Sequence, residues 1–129
     1  MAVVKFIPAR RPQSGGGLRG SILYCKRKDK TWDERTRRQL ELQLFRIGSC
    51  YIFGTPCQIF VQYGKRMKEA CGGFAFISAF ANDYCGYVPT PECMVPGVYE
   101  ARLAPTSALE PAAGDILTEA MLKLYTQIC

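Results

Sequence analysis

The sequence predicts an α/β fold, a partial mixed sheet with flanking helices, and three patterns carry that reading. Leu40, Leu42 and Leu44 alternate with Glu41 and Gln43, which is the period of a half-buried strand. Ile59, Phe60, Tyr63, Met67 and Ala70 share one face of a 3.6-residue period, while Lys65, Arg66, Lys68 and Glu69 take the other, as in an amphipathic helix. The run Phe74-Ala75-Phe76-Ile77-Ser78-Ala79-Phe80 is apolar almost throughout, as expected of a strand covered on both faces. Strand, turn, helix, strand is the order of a β-α-β unit, in which the two strands run parallel.

In chain order, Ala2 to Ile7 is rich in strand-forming residues and is closed by Pro8 and Pro12. Gln13 to Gly17 reads as a flexible hinge. Leu18, Ile22 and Cys25 keep helical spacing, so a short amphipathic helix is expected here despite Gly20. After the leucine strand, Arg46-Ile47-Gly48-Ser49 suits a turn and Cys50-Tyr51-Ile52-Phe53 a second strand, so a hairpin joins the two. Gly72-Gly73 ends the amphipathic helix. From Pro96-Gly97 the chain is irregular to Glu110, and Pro111 suits the first turn of a helix. Ala113, Ile116, Leu117, Ala120, Met121, Leu124 and Ile128 then repeat at i, i+3, i+4, the most regular helical pattern in the chain.

A chain of 129 residues accommodates one domain with a core and is too short for two. No apolar run approaches the ~18 residues that cross a bilayer. Met1 to Pro8 lacks the apolar stretch of a secretory signal, so the location expected by default is the cytoplasm. Seven cysteines form no Cys-x-x-Cys pair and are odd in number, and they read as separate thiols. Histidine is absent. Imidazole is the usual proton shuttle near neutral pH and the commonest protein ligand of catalytic zinc, so any catalysis would run on carboxylate, tyrosine, cysteine or lysine alone, or borrow histidines from another chain.

The net charge of +6 belongs to one segment: residues 1–38 hold eleven Lys and Arg against three Asp and Glu, and residues 39–129 hold six against eight. The expected division is a basic N-terminal segment, 1–38, and a partial α/β domain, 39–129. Lys26-Arg27-Lys28-Asp29-Lys30, extended by Arg35, Arg37 and Arg38, lies beside Tyr24 and Trp32. That combination suits a nucleic acid, with cations on the phosphate backbone and a ring stacked on a base; a solvated surface segment is the plainer alternative.

The stretch from Phe80 to Glu92 is polar, aromatic and punctuated by Gly86, Pro89 and Pro91. Asn-Asp-Tyr tolerates left-handed backbone, glycine permits close approach, and the prolines stiffen the exit. Tyr84, Tyr87, Asp83 and Glu92 bring two phenols and two carboxylates to one segment, which suits holding a cation or orienting a water; a simple turn is the alternative. In a parallel β-α-β pairing this loop and the Gly54-Thr55-Pro56-Cys57-Gln58 turn lie at one edge of the sheet, within reach of each other. Cys57 would sit near a helix N-terminus, which lowers a thiol pKa, but no base accompanies it as a nucleophile requires.

Glu41-Leu42-Gln43-Leu44-Phe45-Arg46-Ile47-Gly48, Gly54-Thr55-Pro56-Cys57-Gln58, Gly64-Lys65-Arg66-Met67-Lys68, Ala81-Asn82-Asp83-Tyr84-Cys85-Gly86-Tyr87-Val88-Pro89-Thr90-Pro91-Glu92 and Tyr99-Glu100-Ala101 together resemble the neutral/alkaline, non-lysosomal ceramidase family. The resemblance covers about residues 39–127 and the C-terminal portion of that family's catalytic domain, its bacterial members especially. It implies a zinc hydrolase that cleaves the amide bond of ceramide, with zinc held by histidines, a glutamate and a tyrosine. The family's glutamate lies in a Gly-x-Pro-Gly-Glu turn; the matching position is Gln58, preceded by Cys57 instead of glycine. The tyrosine ligand, in an Asn-x-Tyr-x-x-Tyr motif, maps to Tyr84, with Tyr87 as the alternative. A further tyrosine of the family's site maps to Met94. The zinc-binding histidines and the catalytic serine belong to regions upstream of the match. In their place stand residues 1–38, whose opening and Leu18-to-Thr31 stretch are faintly similar to the start of plasmid-mobilisation relaxases, without the relaxase histidine cluster.

The expectation is a truncated or rearranged ceramidase-like hydrolase fragment with vestigial metal ligands Gln58 and Tyr84, binding no zinc alone and inactive alone. A ceramide-like lipid amide is the implied substrate. The alternative is a small basic nucleic-acid-binding protein acting through residues 1–38. A sheet cut from a larger domain exposes edges and apolar surface, so a homo-oligomer is also expected.

Overall fold

The leucine alternation sets the centre of the sheet in the computed structural model, which describes residues 4–7, 18–26, 37–102, 107 and 109–129. Along the chain the elements are β1 (Val4–Ile7), β2 (Leu18–Lys26), β3 (Arg37–Ile47), β4 (Cys50–Gly54), β5 (Gln58–Ile59), α1 (Val61–Ala70), β6 (Ala75–Ser78), β7 (Tyr87–Val88) and α2 (Ala113–Ile128). Among the described residues, one sheet has the order β1-β2-β3-β4-β6 and a second, two-stranded one pairs β5 with β7. Neighbours from β1 to β4 are antiparallel, whereas β4 and β6 are parallel, as are β5 and β7. The mixed sheet with helices is thus the architecture that the sequence predicts.

Leu40, Leu42 and Leu44 on β3 have no exposed surface, while Glu41 and Phe45 between and beyond them are exposed. Each fully buried leucine stabilises the fold by about 1.5–3 kcal/mol relative to an exposed one. Tyr51, Phe53 and Ala75 from the adjoining strands join them in one core with Tyr63 and Met67 of α1 and Leu117, Met121 and Leu124 of α2. The helices therefore pack on one face of the sheet. The β3–β4 hairpin turns through Gly48 and Ser49, with Gly48 at φ 60°, the left-handed conformation that a two-residue hairpin loop demands. At the end of α1, the Gly73 N–H bonds the Lys68 carbonyl and the Gly72 N–H that of Glu69, with Gly72 at φ 72°. This satisfies the last carbonyls of the helix and turns the chain towards β6.

The structure departs from the sequence pattern at β2 and at β6. Residues 18–25 form strand, not helix: β2 pairs with β3 over nine residues, from Leu18 opposite Phe45 to Lys26 opposite Arg37. Ile22, Leu23 and Tyr24 favour strands, Gly20 disfavours helix, and the long β3 offers a full ladder of backbone partners, which outweighs a sparse helical spacing. Among the described residues, the strand β6 is covered on one face only. Ala75 is buried, yet Phe76 is 58% exposed, and Phe74 and Phe80 flanking the strand are exposed as well. Among the described residues nothing covers the face that carries Phe45, Ile47 and Phe76.

Of the basic N-terminal cluster, Arg27 to Arg35 and Trp32 lie outside the described residues, as does the Gln13 to Gly17 hinge. Among the described residues no helix is long and apolar enough to cross a membrane.

Candidate functional site

The site is built where two parallel chain segments run on past the end of the main sheet. β4 lies beside β6 with Phe53 opposite Ile77 and Gly54 opposite Ser78. Beyond the strands the pairing continues: the Thr55 N–H bonds the Ser78 carbonyl at 2.9 Å and the Ala81 N–H bonds the Thr55 carbonyl at 2.9 Å. The Cys85 N–H then bonds the Pro56 carbonyl at 3.0 Å, and the Gln58 N–H bonds the Gly86 carbonyl at 2.9 Å. Gln58 and Ile59 finally pair with Tyr87 and Val88 as β5 and β7. The turn 54–58 and the loop 80–88 are therefore side by side at the carboxyl edge of the parallel pair, where sites in α/β sheets gather.

The extra residues of the second segment bulge outwards, and backbone conformation makes room for them. Asn82 has φ 66° and Gly86 φ 73°, the left-handed conformations that their residue types accept. Phe80 is also left-handed, φ 57°, which is unusual for a bulky residue. Its ring stacks on that of Tyr84, with centroids 5.3 Å apart. Gly54 leaves space for Ala81: a Cβ on Gly54 would lie 3.1 Å from that of Ala81, tighter than ordinary contact. The buried Thr55 hydroxyl donates to the Cys57 carbonyl at 2.9 Å and stiffens the turn.

Cys57 and Cys85 form a disulfide across the two segments, with Cα atoms 5.0 Å apart, and both residues are buried. This corrects the reading of these cysteines as separate thiols and removes Cys57 from candidacy as a nucleophile. Cys50, Cys71, Cys93 and Cys129 are free. A separation of 28 residues is the span of one β-α-β crossover, so cysteines at equivalent places on two parallel strand ends are the signal for this pairing.

The two proposed ligands flank this bridge, Gln58 following Cys57 and Tyr84 preceding Cys85. Both are exposed, Tyr84 by 46%. Tyr87 is half-buried; its N–H bonds the Ser107 hydroxyl at 3.2 Å and its ring meets Tyr99 edge-on. Burial, with Tyr99 beside it, raises the pKa of the Tyr87 phenol above the usual tyrosine value. Met94 is half-buried and lines a separate hollow of 270 Å³ with Val95, Pro96, Val98, Ala101 and Arg102. Glu92 is exposed in the short 3₁₀ turn Pro91–Cys93. Among the described residues, no three of His, Cys, Asp and Glu stand together so as to hold a metal ion. A neutral amide and a phenol at Gln58 and Tyr84, with both nearby sulfurs in a disulfide, are not the donor set of a zinc site.

A mixed sheet with both helices on one face, and a turn and a loop joined at the edge of its parallel pair, defines this chain as an α/β protein with its candidate site at a strand-end edge. In fold it is ceramidase-like. A ceramidase structure complexed with C2 matches 65% of this chain at 25% identity, with a TM-score of 0.52. The neutral ceramidase from Pseudomonas aeruginosa matches the same share at 24% identity, with a TM-score of 0.53. The matched part spans 14% of the length of each of those ceramidases. No protein-family description and no curated protein matches the chain.

Proposed function

We propose that this chain supplies one wall of a ceramidase-like hydrolase site, the wall that carries Gln58 and Tyr84, and does not hydrolyse the N-acyl amide bond of ceramide alone. The observation that supports the reading is the parallel backbone track from Thr55 to Ile59 and from Ser78 to Val88, in a chain whose fold is like that of ceramidases. A catalytic zinc site takes three protein ligands of nitrogen, thiolate or carboxylate type and keeps one position open. Gln58 offers a neutral amide and Tyr84 a phenol, so neither is an imidazole, thiolate or carboxylate donor. Zinc ligands, and the residues that would face this wall, would have to come from another polypeptide segment. A lipid amide of the ceramide class is the substrate this wall would help to enclose.

The test is turnover by the purified chain on a short-acyl ceramide with saturating zinc. No release of fatty acid above the protein-free blank is expected. Zinc-dependent amide cleavage that EDTA abolishes would overturn the proposal.

A further inference from the structure

We propose that a covalent cross-link, the Cys57–Cys85 disulfide, takes the part of fastening the Gln58 turn to the Tyr84 loop that a shared metal ion would otherwise play. The inference rests on the reading of these two segments as a ceramidase-like wall. In a metal-centred wall, ligands on two segments hold them together through the ion, and removing the ion loosens both. Here the donors beside the junction do not suit zinc, and the junction is already closed by a bond between the residues adjoining those donors. The backbone bonds from Cys85 to Pro56 and from Gln58 to Gly86 bracket the disulfide, so bridge and ladder hold the same register. A carboxylate at position 58 is dispensable for that purpose, since the bridge, not ligation, keeps the loop in place.

The bond forms by thiol–disulfide exchange. The Cys57 and Cys85 thiols lose two protons and two electrons, and an external disulfide of the glutathione class takes both and leaves as two thiols. Once closed, the bridge is inaccessible: Cys57 has no exposed surface and Cys85 1%. A reductant reaches it only when the loop opens, because exchange requires direct attack on a sulfur.

The experiment uses the full chain, oxidised and purified without reductant. Free thiols are alkylated in denaturant and the digest is read by mass spectrometry; hydrogen exchange across residues 54–60 and 80–90 is followed with EDTA, with reductant, and with zinc added after reduction. The expected result is a linked Cys57–Cys85 peptide with neither residue alkylated, exchange indifferent to EDTA, and exchange about tenfold faster once the bridge is reduced. A C57S/C85S variant should exchange like the reduced chain; if it does not fold, the peptide map and the wild-type exchange still decide. Alkylation of Cys57 and Cys85 in the unreduced chain would overturn the proposal, and so would recovery of protection when zinc is added to the reduced one. Neither outcome depends on turnover, so failure here is distinct from discovery of ceramide hydrolysis.

Discussion

The Tyr63 ring occupies the space that a Cβ on Gly114 would need, so α1 and α2 touch through a position that only glycine fills. The Tyr63 hydroxyl also donates to the Pro89 carbonyl at 3.3 Å, which ties the helix pair to the exit of the candidate-site loop. Burial is the main reason that the pKa of this phenol is raised.

Gly114→Ala therefore forces the helices apart. Helix propensity alone would favour alanine, but overpacking at a buried contact typically costs about 1–3 kcal/mol, and the net effect expected is a loss. Urea denaturation should show a lower midpoint for Gly114→Ala. Tyr63→Phe keeps the ring and loses one hydrogen bond, for a smaller loss of about 0.5–1.5 kcal/mol.

The two faces of the sheet should differ in how much stability the loss of an aromatic ring costs. Phe53 is fully buried, and Phe53→Ala should cost about 3–5 kcal/mol through lost contacts and the cavity left behind. Phe76 lies on the other face, 58% exposed, and Phe76→Thr should change stability by no more than about 0.5 kcal/mol. Light scattering against concentration should show less self-association for Phe76→Thr, because an exposed apolar sheet face is a contact surface.

High pH should weaken the end of α2. Hydrogen bonding to the Cys129 side chain, then burial, pushes the Tyr125 phenol up to about 12, and the same partner raises that of Tyr51. The Tyr51 hydroxyl and the Cys129 sulfur are 3.6 Å apart, and the Tyr51 and Tyr125 rings meet edge-on. A phenol whose proton is held more tightly in the folded chain contributes stability that is fully present below the unfolded pKa, about 10, and is lost as pH rises through the folded value. Thermal melts should thus be insensitive to these phenols near neutrality and fall between about pH 10 and 12. Cys129→Ala should move the phenolate absorbance transition to lower pH and narrow that window.

The parallel pairing, the hairpin and α2 were legible in the sequence because each rests on a local period that tertiary packing reinforces. Leu40, Leu42 and Leu44 mark one face of β3, and Leu117, Met121 and Leu124 mark one face of α2. The meeting of the 54–58 turn and the 80–88 loop followed from the strand-helix-strand order. β2 was not legible, since its pairing depends on the length of β3 rather than on its own pattern. The exposed face of β6 escaped notice because an apolar run does not reveal whether a second layer exists to cover it. The disulfide is hidden for another reason: cysteine parity does not pair cysteines, and the 28-residue separation becomes a signal only through the parallel register that brings Cys57 beside Cys85. The left-handed Phe80 leaves no signature in residue type.

Zinc binding to the oxidised chain tests most directly whether this wall is an incomplete metal centre. Equilibrium dialysis of the wild type, Gln58→Glu and Tyr84→Phe against buffered zinc gives the bound stoichiometry for each. The expected result is well below one zinc per wild-type chain at micromolar zinc, with Tyr84→Phe no different. One tightly held zinc per wild-type chain, lost in Tyr84→Phe, would contradict it.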